Sequence, residues 1–352
     1  MECDGAGLEA IAARDYILPA LARSGSDSSR HTRAASKWLI CAAMETVVTG
    51  GAGFIGSNLV DALVDRGDSV TVIDNLSSGR RSNLDRAVQA GAVLQVADIA
   101  DADKVAEIVS AVQPDVIFHL AAQIDVRSSV EHPAADAAVN VLGTIGVLEA
   151  ARTSGVRRVV NTSTGGGLYG EADLLPTPED YQIKPLAPYG QGKYAAEGYC
   201  SLFTRLHGLS TVSLRYGNVY GPRQDIHGEA GVVAIFCGHL IDGRQPTVFG
   251  DGRQTRDWVD VSDVVRANLL AAEHDLSGPI NIGHGKETSV LELLQALSEV
   301  GPVGGPPDPQ FAAERPGEVR RSCLDVSRAQ RELGWEADVE LRDGLMRILA
   351  GL

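Results

Sequence analysis

The chain has 352 residues, 44% of them hydrophobic and 22% charged, which is enough for a large buried core in one domain or two closely packed ones. Its formal net charge of -15 argues against a nucleic-acid partner, because phosphate binding needs a basic face. The five cysteines form no CxxC pair and no apolar run comes near the ~20 residues that cross a bilayer, so we expect a cytoplasmic protein with no metal site and no membrane segment.

The first 43 residues differ from the rest of the chain. Residues 1–43 are rich in Ala, Arg and Ser, contain no strand pattern, and have apolar patches too short for a signal sequence. Met44 directly precedes the first strand pattern. We therefore interpret residues 1–43 as an N-terminal extension that is disordered or loosely helical, or as a stretch that is not native because translation starts at Met44.

Short β-branched runs alternate with helical segments from Glu45 onward. The predicted strands are Thr46–Val48, Val70–Ile73, Val93–Val96, Val116–Leu120, Arg158–Val160 and Thr211–Leu214. The first predicted helix ends near Arg66, and the others cover residues 101–112, 134–154 and 189–207. This alternation implies right-handed crossovers, and therefore an α/β fold with a Rossmann-type, doubly wound parallel sheet over residues 44–215. Beyond this point the pattern is irregular, and we expect residues 216–352 to form mainly a smaller C-terminal portion over the ligand-binding end of the sheet.

A glycine-rich turn, Thr49–Gly56, lies between the first strand and the first helix. Gly50 permits the tight turn, Gly53 lets the backbone approach a pyrophosphate, and Gly56 lets the helix pack closely on the strand. The N–H groups and the positive dipole of the helix N-terminus favour phosphate. A plain glycine-rich turn would share this pattern, but the strand before it and the helix after it favour a dinucleotide site.

Two carboxylates follow the second and third strands. Asp74 ends the second strand, where a carboxylate accepts hydrogen bonds from the adenosine ribose and repels a 2′-phosphate, so we predict that the cofactor is NAD. Arg80 and Arg81 follow closely and leave NADP as the alternative. Asp98 follows the third strand and is either a partner of the adenine or a helix N-cap, although Asp101 also suits the cap.

Tyr189 and Lys193 lie one helical turn apart in the stretch YGQGK. A phenol has a pKa near ~10, so it acts as a base at neutral pH only if a cation stabilises the phenolate. Lys193 and the positive nicotinamide ring are the cations we expect here. A surface Tyr–Lys pair would show the same spacing, but the glycine turn and the upstream hydroxyls of Ser163 and Thr164 favour a catalytic pair.

With these motifs together, the chain from Glu45 to its end resembles the extended short-chain dehydrogenase/reductase family. Within that family it is most similar to the UDP-glucose 4-epimerase branch of the NAD-dependent epimerases and dehydratases. The stretches that carry the resemblance are Thr49–Gly56, Asp74–Gly79, His119–Gln123, Asn140–Thr144, Ser163–Gly170, Tyr189–Lys193, Arg215–Arg223 and Arg256–Trp258.

The resemblance implies roles for the site residues. Tyr189 is the acid–base, Lys193 is its electrostatic partner and a ligand of the nicotinamide ribose, and Asn140 helps to hold the catalytic architecture. The cofactor-binding residues implied in this way are Gly50, Gly53, Phe54, Ile55, Gly56, Asp74, Asn75, Ser78, Gly79, Asp98, Ile99, Ala121, Ala122, Gln123, Asn140, Tyr189, Lys193 and Tyr216. The sequence departs from the family at Gly165, where the usual catalytic hydroxyl lies, so either Ser163 or Thr164 serves instead.

The resemblance also implies a sugar-nucleotide site in the C-terminal portion. Its expected contacts are Thr164, Asn218, Val232, Arg256 and Arg315. The planar guanidinium groups of the two arginines suit a pyrophosphate, whereas surface ion pairing with nearby acids is their alternative role. Ser322 falls where the family has a residue that limits sugar size, which suggests that N-acetylated sugars also fit.

We therefore predict an NAD-dependent enzyme that inverts C4 of a UDP-sugar (UDP-glucose, UDP-galactose or their N-acetylated forms) through a 4-keto intermediate. Glycines at 165–167 replace the acids that the family's dehydratases carry after the central hydroxyl, which disfavours elimination of water. Two alternatives stay open: a net NAD-dependent dehydrogenase or reductase of the same family, and a catalytically idle NAD-binding scaffold. The family also leads us to expect a homodimer, with the helices near 101–112 and 134–154 at its interface.

Overall fold

A repeating strand–helix order begins at Glu45 and continues to Tyr216. In chain order the elements are β1 (Glu45–Thr49), α1 (Phe54–Arg66), β2 (Ser69–Asp74), a 3₁₀ turn (Arg81–Leu84), α2 (Asp85–Gln89), β3 (Val93–Val96), α3 (Ala102–Val112), β4 (Val116–His119), α4 (Val126–Glu131), α5 (Pro133–Ala137), a π-helical segment (Ala138–Gly143), α6 (Thr144–Thr153), β5 (Arg158–Thr164), α7 (Gly165–Leu168), α8 (Pro188–His207) and β6 (Ser210–Tyr216). The structure is a computed structural model, and it describes residues 43–225, 231–301, 308–314 and 319–351. The predicted N-terminal extension lies outside these residues except for Ala43.

Shorter elements follow β6. They are β7 (Asn218–Tyr220), α9 (Val232–Ile241), β8 (Thr247–Phe249), β9 (Thr255–Asp260), α10 (Val261–Glu273), β10 (Gly278–Ile282), β11 (Glu287–Ser289), α11 (Val290–Val300), β12 (Gln310–Ala312), α12 (Ser327–Leu333) and α13 (Leu341–Gly351). The strands β11, β9 and β7 form one small sheet, and β12 and β8 form another.

Within the described residues, seven parallel strands form the central sheet in the order β10-β6-β5-β4-β1-β2-β3. The chain winds outward from β1 through β2 and β3, then restarts at β4 and winds the other way through β5 and β6. The strand order therefore reverses between β1 and β4, which is where doubly wound sheets bind their ligands. The predicted Rossmann-type α/β fold is confirmed. The sequence pattern did not single out β10, which joins this sheet from the C-terminal portion.

Helices cover both faces of the central sheet, which explains why its inner strands are buried along most of their length. On one face α1, α10 and α12 contribute core residues such as Leu63, Val264 and Leu333. On the other face α3, α6 and α8 contribute residues such as Ile108 and Phe203. A third apolar cluster packs α9, α11 and α13 together. The sheet is therefore a rigid platform for the loops at its carboxyl edge.

The helical stretch 133–153 runs through α5, the π-helical segment and α6 without interruption. Among the described residues it is the one helix whose length and composition would allow it to cross a membrane. Half of it is buried inside the protein, and it packs against α3 and α8, as a core helix does. Its π-helical segment contains Asn140, and widened turns of this kind are frequent at functional sites.

Candidate active site

The reversal between β1 and β4 brings the glycine turn against the end of β4. Gly50 has a φ of +70°, which residues with a side chain rarely adopt, and a Cβ there would lie 2.6 Å from the amide nitrogen of Ala121. A Cβ on Gly56 would lie 2.1 Å from the carbonyl oxygen of Gly50. Glycine is therefore required at both positions, at the first for the turn and at the second for the close packing of α1.

The N-terminus of α1 opens at this turn. Its N-cap is Gly53, which offers no side-chain acceptor, and its first turn contains no acidic residue. The N–H groups of Phe54, Ile55 and Gly56 therefore have no partner within the helix, and the helix dipole favours an anion there. A Cβ on Gly53 would meet only the carbonyl oxygen of Gly50 within 4 Å, at 3.2 Å. This geometry fits a dinucleotide pyrophosphate.

Asp74 is buried at the end of β2, with 7% of its surface exposed. One carboxylate oxygen accepts the N–H of Ala52 at 2.9 Å, and the other accepts the N–H of Leu76 at 2.8 Å. A Cβ on Gly79 would lie 2.9 Å from Asp74 Oδ1, so the loop folds tightly over the carboxylate, while the neighbouring Ser78 is exposed. Each carboxylate oxygen has a second lone pair, and so it can also accept from a ribose hydroxyl.

Asp98 and Asn75 meet where the loops after β2 and β3 come together. Nδ2 of Asn75 donates to Oδ2 of Asp98 at 2.9 Å, and the N–H of Ala100 donates to Oδ1 at 2.8 Å. The N-cap of α3 is Asp101, whose side chain accepts the N–H of Lys104. Asp98 is therefore not the helix cap, and it is exposed at the edge of the crevice.

Asn140 holds the loop that follows β4. Its Nδ2 donates to the carbonyl oxygen of Gln123 at 2.9 Å, and its Oδ1 accepts the N–H of the same residue at 3.0 Å. At the start of the loop, the hydroxyl oxygen of Thr49 accepts the N–H of Ala121 at 3.2 Å. Ala122 lies between these two anchors and is half-buried. The loop is therefore fixed at both ends, directly beside the glycine turn.

Two predicted cofactor residues have their side chains in the interior. Tyr216 is 4% exposed, and its hydroxyl is hydrogen-bonded to Asn268 of α10 and to Thr162 of β5. Ile99 is 5% exposed and packs against Gly143 of the π-helical segment. The side chain of Tyr216 therefore belongs to the core, and any contact between Tyr216 and a cofactor is made by its backbone.

The structure brings Tyr189, Lys193 and Thr164 together where α8 begins and β5 ends. A Cβ on Gly167 would lie 3.4 Å from Oγ1 of Thr164 and 3.6 Å from a ring carbon of Tyr189, so the two side chains lie beside each other, and Oγ1 of Thr164 accepts the N–H of Gly167 at 3.2 Å. Lys193 is 5% exposed, and its ammonium donates to the carbonyl oxygen of Thr162 at 3.0 Å. The predicted catalytic residues are therefore assembled on two adjacent elements.

Burial shifts the pKa of both members of the pair. It raises the pKa of Tyr189 to about 12, while the hydrogen bond with Thr164 opposes this rise and the carboxylate of Asp136 adds to it. Burial also lowers the pKa of Lys193 to about 8, against the effect of Asp136. Lys193 alone therefore does not make the phenol acidic. The sequence led us to expect that Lys193 would do so together with the nicotinamide ring. A further cation is needed before Tyr189 can act as a base.

The two candidate hydroxyls differ in their surroundings. Ser163 is 3% exposed, and its Oγ has no hydrogen-bond partner among the described residues. Thr164 is the one that contacts Tyr189. A Cβ on Gly165 would lie 2.5 Å from a side-chain carbon of Leu324. A side chain at position 165 would therefore displace the side chain of Leu324.

Asn218 and Ser322 both lie near Gly166, beyond the end of β5. A Cβ on Gly166 would be 3.6 Å from Oδ1 of Asn218 and 4.0 Å from Oγ of Ser322. Ser322 is 7% exposed. Both polar groups therefore border the space that a side chain at position 166 would occupy.

The other predicted substrate contacts lie farther along the chain. Val232 is half-buried in the first turn of α9. Arg256 is half-buried on β9 and donates to the carbonyl oxygen of Thr255 at 2.9 Å. Arg315 lies outside the described residues. Two neighbouring arginines form surface ion pairs instead: Arg320 with Asp251 at 2.8 Å, and Arg321 with a glutamate of β11 at 2.6 Å.

The described part of the chain contains no group of three or more His, Cys, Asp or Glu side chains that could hold a metal ion. Its cysteines, Cys200, Cys237 and Cys323, are buried free thiols.

Residues 46–283 match the model of the NAD dependent epimerase/dehydratase family. The chain belongs to this family. The UDP-glucose 4-epimerase of Mycolicibacterium smegmatis is 49% identical over 306 residues, which cover 86% of this chain and 97% of that protein. The structure of the Thermotoga maritima UDP-glucose 4-epimerase with UDP-glucose is 46% identical, with a TM-score of 0.83 over 87% of this chain and 97% of that one. The Thermus thermophilus enzyme, in complex with NAD, is 40% identical, with a TM-score of 0.80 over the same shares of the two chains.

The family confirms the predicted resemblance, and its cofactor, NAD, is the one that the sequence predicted. The residues present fit this cofactor. The open N-terminus of α1 suits the pyrophosphate, and the carboxylate of Asp74 suits a ribose without a 2′-phosphate. Arg80, which left NADP as an alternative, pairs with Asp225 at 3.3 Å.

A buried hydrogen-bond relay that no sequence pattern predicted runs through His119. Its Nδ1 lies 2.8 Å from the hydroxyl of Thr49 and its Nε2 lies 3.0 Å from the hydroxyl of Thr144. Thr144 donates to the carbonyl oxygen of Asn140 at 2.8 Å, so it accepts from Nε2–H, and Nδ1 accepts from Thr49. The neutral ring therefore links the glycine turn to the π-helical segment. His119 lies within a stretch that carried the resemblance, but nothing in its spacing indicated this role.

Proposed function

We propose that this protein is a UDP-glucose 4-epimerase, which uses NAD to interconvert UDP-glucose and UDP-galactose by inverting C4 through a 4-keto intermediate. The observation that carries the proposal is the placement of Thr164 and Tyr189 beside each other at Gly167, with Lys193 buried one helical turn after Tyr189. This group lies at the carboxyl end of β5, on the strand that neighbours β4, and the glycine turn that fits NAD follows β1 on the other side of β4. The chain is 49% and 46% identical to two UDP-glucose 4-epimerases over 97% of their length, which supports a UDP-sugar as the substrate.

In this proposal Tyr189 removes the proton of the sugar's C4 hydroxyl, directly or through Thr164, and gives it back after inversion. The chemistry that bound NAD supplies is uptake of the C4 hydride, its return to the opposite face of the sugar, and a positive charge that favours the phenolate. Lys193 adds a second positive charge and holds the nicotinamide ribose. Because the hydride returns, the net reaction is redox-neutral.

We assign the cofactor contacts in the same way. The glycine turn and the first turn of α1 hold the pyrophosphate, and Asp74 holds the adenosine ribose. Asp98 lies at the adenine end, and the loop 121–123 borders the nicotinamide half. On the substrate side, Asn218, Val232, Arg256 and Arg315 contact the sugar nucleotide.

Ser322 favours a substrate range that includes N-acetylated sugars. Its small side chain borders the space above Gly166, near Thr164. A bulky residue at position 322 would fill that space. We therefore expect UDP-N-acetylglucosamine to be turned over by the wild type and to be excluded by the variant Ser322→Tyr. Equal turnover of this substrate by both proteins would remove Ser322 from the specificity argument.

The proposal is tested by incubating the purified protein with UDP-galactose, without added nicotinamide, and following the sugar anomeric signals by NMR. We expect UDP-glucose to form. Turnover that requires stoichiometric added NAD would indicate a net dehydrogenase, and no turnover with any sugar nucleotide would indicate an idle scaffold. Tyr189→Phe should keep less than about a tenth of the activity, whereas Tyr194→Phe, a 44% exposed tyrosine on the same helix, should keep nearly all of it.

We also infer that the protein is a cytoplasmic homodimer. Large exposed apolar side chains lie on α4, the stretch 133–153 and α8, which pack against one another; they include Val130, Leu142 and Leu206, which are 60%, 64% and 65% exposed. Such a patch is typical of an interface. In the described residues no exposed large apolar side chain lies on α3, so this surface favours 133–153 and α8 over the predicted helix 101–112. Light scattering should give a dimer for the wild type and a monomer for Leu142→Glu combined with Leu206→Glu; a monomeric wild type would contradict the inference.

A further inference from the structure

Asp136 is a carboxylate buried beside the catalytic pair, with 2% of its surface exposed. It lies on α5, one helical turn before Asn140. Its Oδ1 accepts Nδ2 of Asn140 at 2.9 Å and Nε2 of Gln123 at 3.1 Å. Both donors are neutral amides, so they orient the carboxylate and satisfy one of its oxygens without cancelling its charge.

The other carboxylate oxygen lies against α8. A Cβ on Gly192 would be 3.0 Å from Oδ2 of Asp136 and 3.3 Å from Cβ of Asn140. Glycine at position 192 therefore lets the carboxylate approach the helix directly beside Lys193. This explains why the second glycine of the YGQGK stretch is a glycine. The spacing of Tyr189 and Lys193 alone would allow any residue at that position.

The ammonium of Lys193 needs a counter-ion, because a buried charge without one is costly. The ammonium donates a hydrogen bond to the carbonyl oxygen of Thr162, which is a neutral group. Asp136 is the group that most strongly raises the pKa of Lys193. Glu197, on the same helix, has a smaller effect and is already paired with Arg215 at 2.6 Å.

The other titratable groups around Asp136 do not compete for this role. On α4, which packs against α5, Arg127 and Glu131 are exposed to solvent. His119 of β4 is buried and neutral, since burial lowers its pKa to about 3. On α8, burial raises the pKa of Tyr189 and of Cys200 to about 12, so both are neutral near pH 7.

We propose that Asp136 is the counter-ion of Lys193 and keeps the buried ammonium charged beside Tyr189. Asp136 touches neither substrate nor cofactor in this scheme, and so it is a positioning residue. Its effect on catalysis rests on the proposed function, whereas its effect on the charge of Lys193 does not. The carboxylate also raises the pKa of Tyr189, so it favours a phenol that stays protonated until a further positive charge arrives.

The scarcity of lysine makes a direct test practical. The sequence contains only Lys37, Lys104, Lys184, Lys193 and Lys286, so a protein labelled with ¹³C at lysine Cε gives few NMR signals. The signal of Lys193 is assigned as the one that is missing from the spectrum of the variant Lys193→Met. Its titration in the wild type should centre near pH 8. In Asp136→Asn the midpoint should fall by about one unit, the size of shift that an opposite charge within a few ångströms produces.

Asp101→Asn is the matched control. It also removes one carboxylate, it lies far from Lys193 at the start of α3, and asparagine caps a helix as well as aspartate does. Its Lys193 midpoint should equal that of the wild type. An unchanged midpoint in Asp136→Asn, or the same fall in both variants, would overturn the proposal.

Activity gives a second and separate reading. If Asp136 holds the charge of Lys193, the loss of kcat/KM in Asp136→Asn grows as the pH is raised from 6.5 to 8.5, whereas damage to packing alone gives the same loss at each pH. Should the variant fail to fold, the wild-type titration decides: the Lys193 signal must show a second inflection where the Asp136 carboxyl carbon titrates, and its absence overturns the proposal. An inactive wild type with a normal NMR result would refute the proposed function and leave the counter-ion in place.

Discussion

Thr164 and Ser163 are adjacent hydroxyls with opposite surroundings, and the difference makes a prediction at the scale of single residues. The hydroxyl of Thr164 contacts the Tyr189 phenol and lowers its pKa, whereas the buried hydroxyl of Ser163 is without a partner among the described residues. We expect Thr164→Val to lower kcat by about tenfold or more, because it removes a group within reach of the transferred proton. Steady-state kinetics with UDP-galactose measures this effect.

Ser163→Ala is the matched variant for that prediction. It removes the neighbouring hydroxyl without changing the surroundings of Tyr189. The hydroxyl that it removes is buried and has no hydrogen-bond partner among the described residues, so its loss costs little stability. Its kcat should stay within about twofold of the wild type. The opposite ranking of the two variants would show that Ser163 is the assisting hydroxyl.

At the residue scale the sequence predicted the glycine turn, Asp74 and the Tyr189–Lys193 pair, because each depends on a short spacing along one strand or helix. It left the choice between Ser163 and Thr164 open, since adjacent strand residues point to opposite faces and only the packed neighbours decide which face meets α8. Asp136 was missed for a related reason: its partners come from three separate segments, and no local pattern connects them.

At the scale of elements, a buried ion pair joins the catalytic helix to the sheet. Arg215 of β6 donates to both carboxylate oxygens of Glu197 of α8, at 2.9 and 2.6 Å, with both side chains almost fully buried. Arg215 also donates to the hydroxyl of Tyr169 at 2.8 Å, and that hydroxyl donates to Asn281 of β10 at 2.9 Å. One network therefore holds α8, β6 and β10 in register beneath the active site.

Glu197→Gln should destabilise the fold, because it leaves the Arg215 guanidinium buried without its counter-charge. We expect the free energy of unfolding, measured by urea titration, to fall by about 3–5 kcal/mol. Glu149→Gln is the control: it removes an exposed partner of Arg152 on α6 and should cost less than about 0.5 kcal/mol. Equal losses in the two variants would mean that the buried network does not anchor α8.

The elements themselves were predictable up to Tyr216 because helices and strands alternate there, and most of the strands contain a short β-branched run that is buried. The strand β10 was missed for a physical reason. Its neighbour in the sheet, β6, ends more than sixty residues earlier in the chain, and the intervening helices and small sheets do not follow the alternating pattern. A contact of that sequence separation has no signature in local periodicity.

At the scale of the whole molecule, His119 predicts how stability depends on pH. Burial, aided by the charge of Lys193, lowers the pKa of His119 to about 3 in the fold, whereas an unfolded histidine has a pKa of about 6.5. Below about pH 6.5 the unfolded chain therefore binds a proton that the folded chain does not. The stabilising contribution is fully present above this pH, and it is lost by about 1.4 kcal/mol for each pH unit as the pH falls toward 3.

The measurement compares the wild type with His119→Gln, whose amide can still donate and accept between Thr49 and Thr144. Between pH 7.5 and pH 5.0 the free energy of unfolding of the wild type should fall by about 2 kcal/mol more than that of the variant. The chain's net charge of -15 also changes over this range, but the change is shared by both proteins and cancels in the difference. Equal losses would mean that the ring gains a proton inside the fold, and the neutral relay between the glycine turn and the π-helical segment would then have to be abandoned.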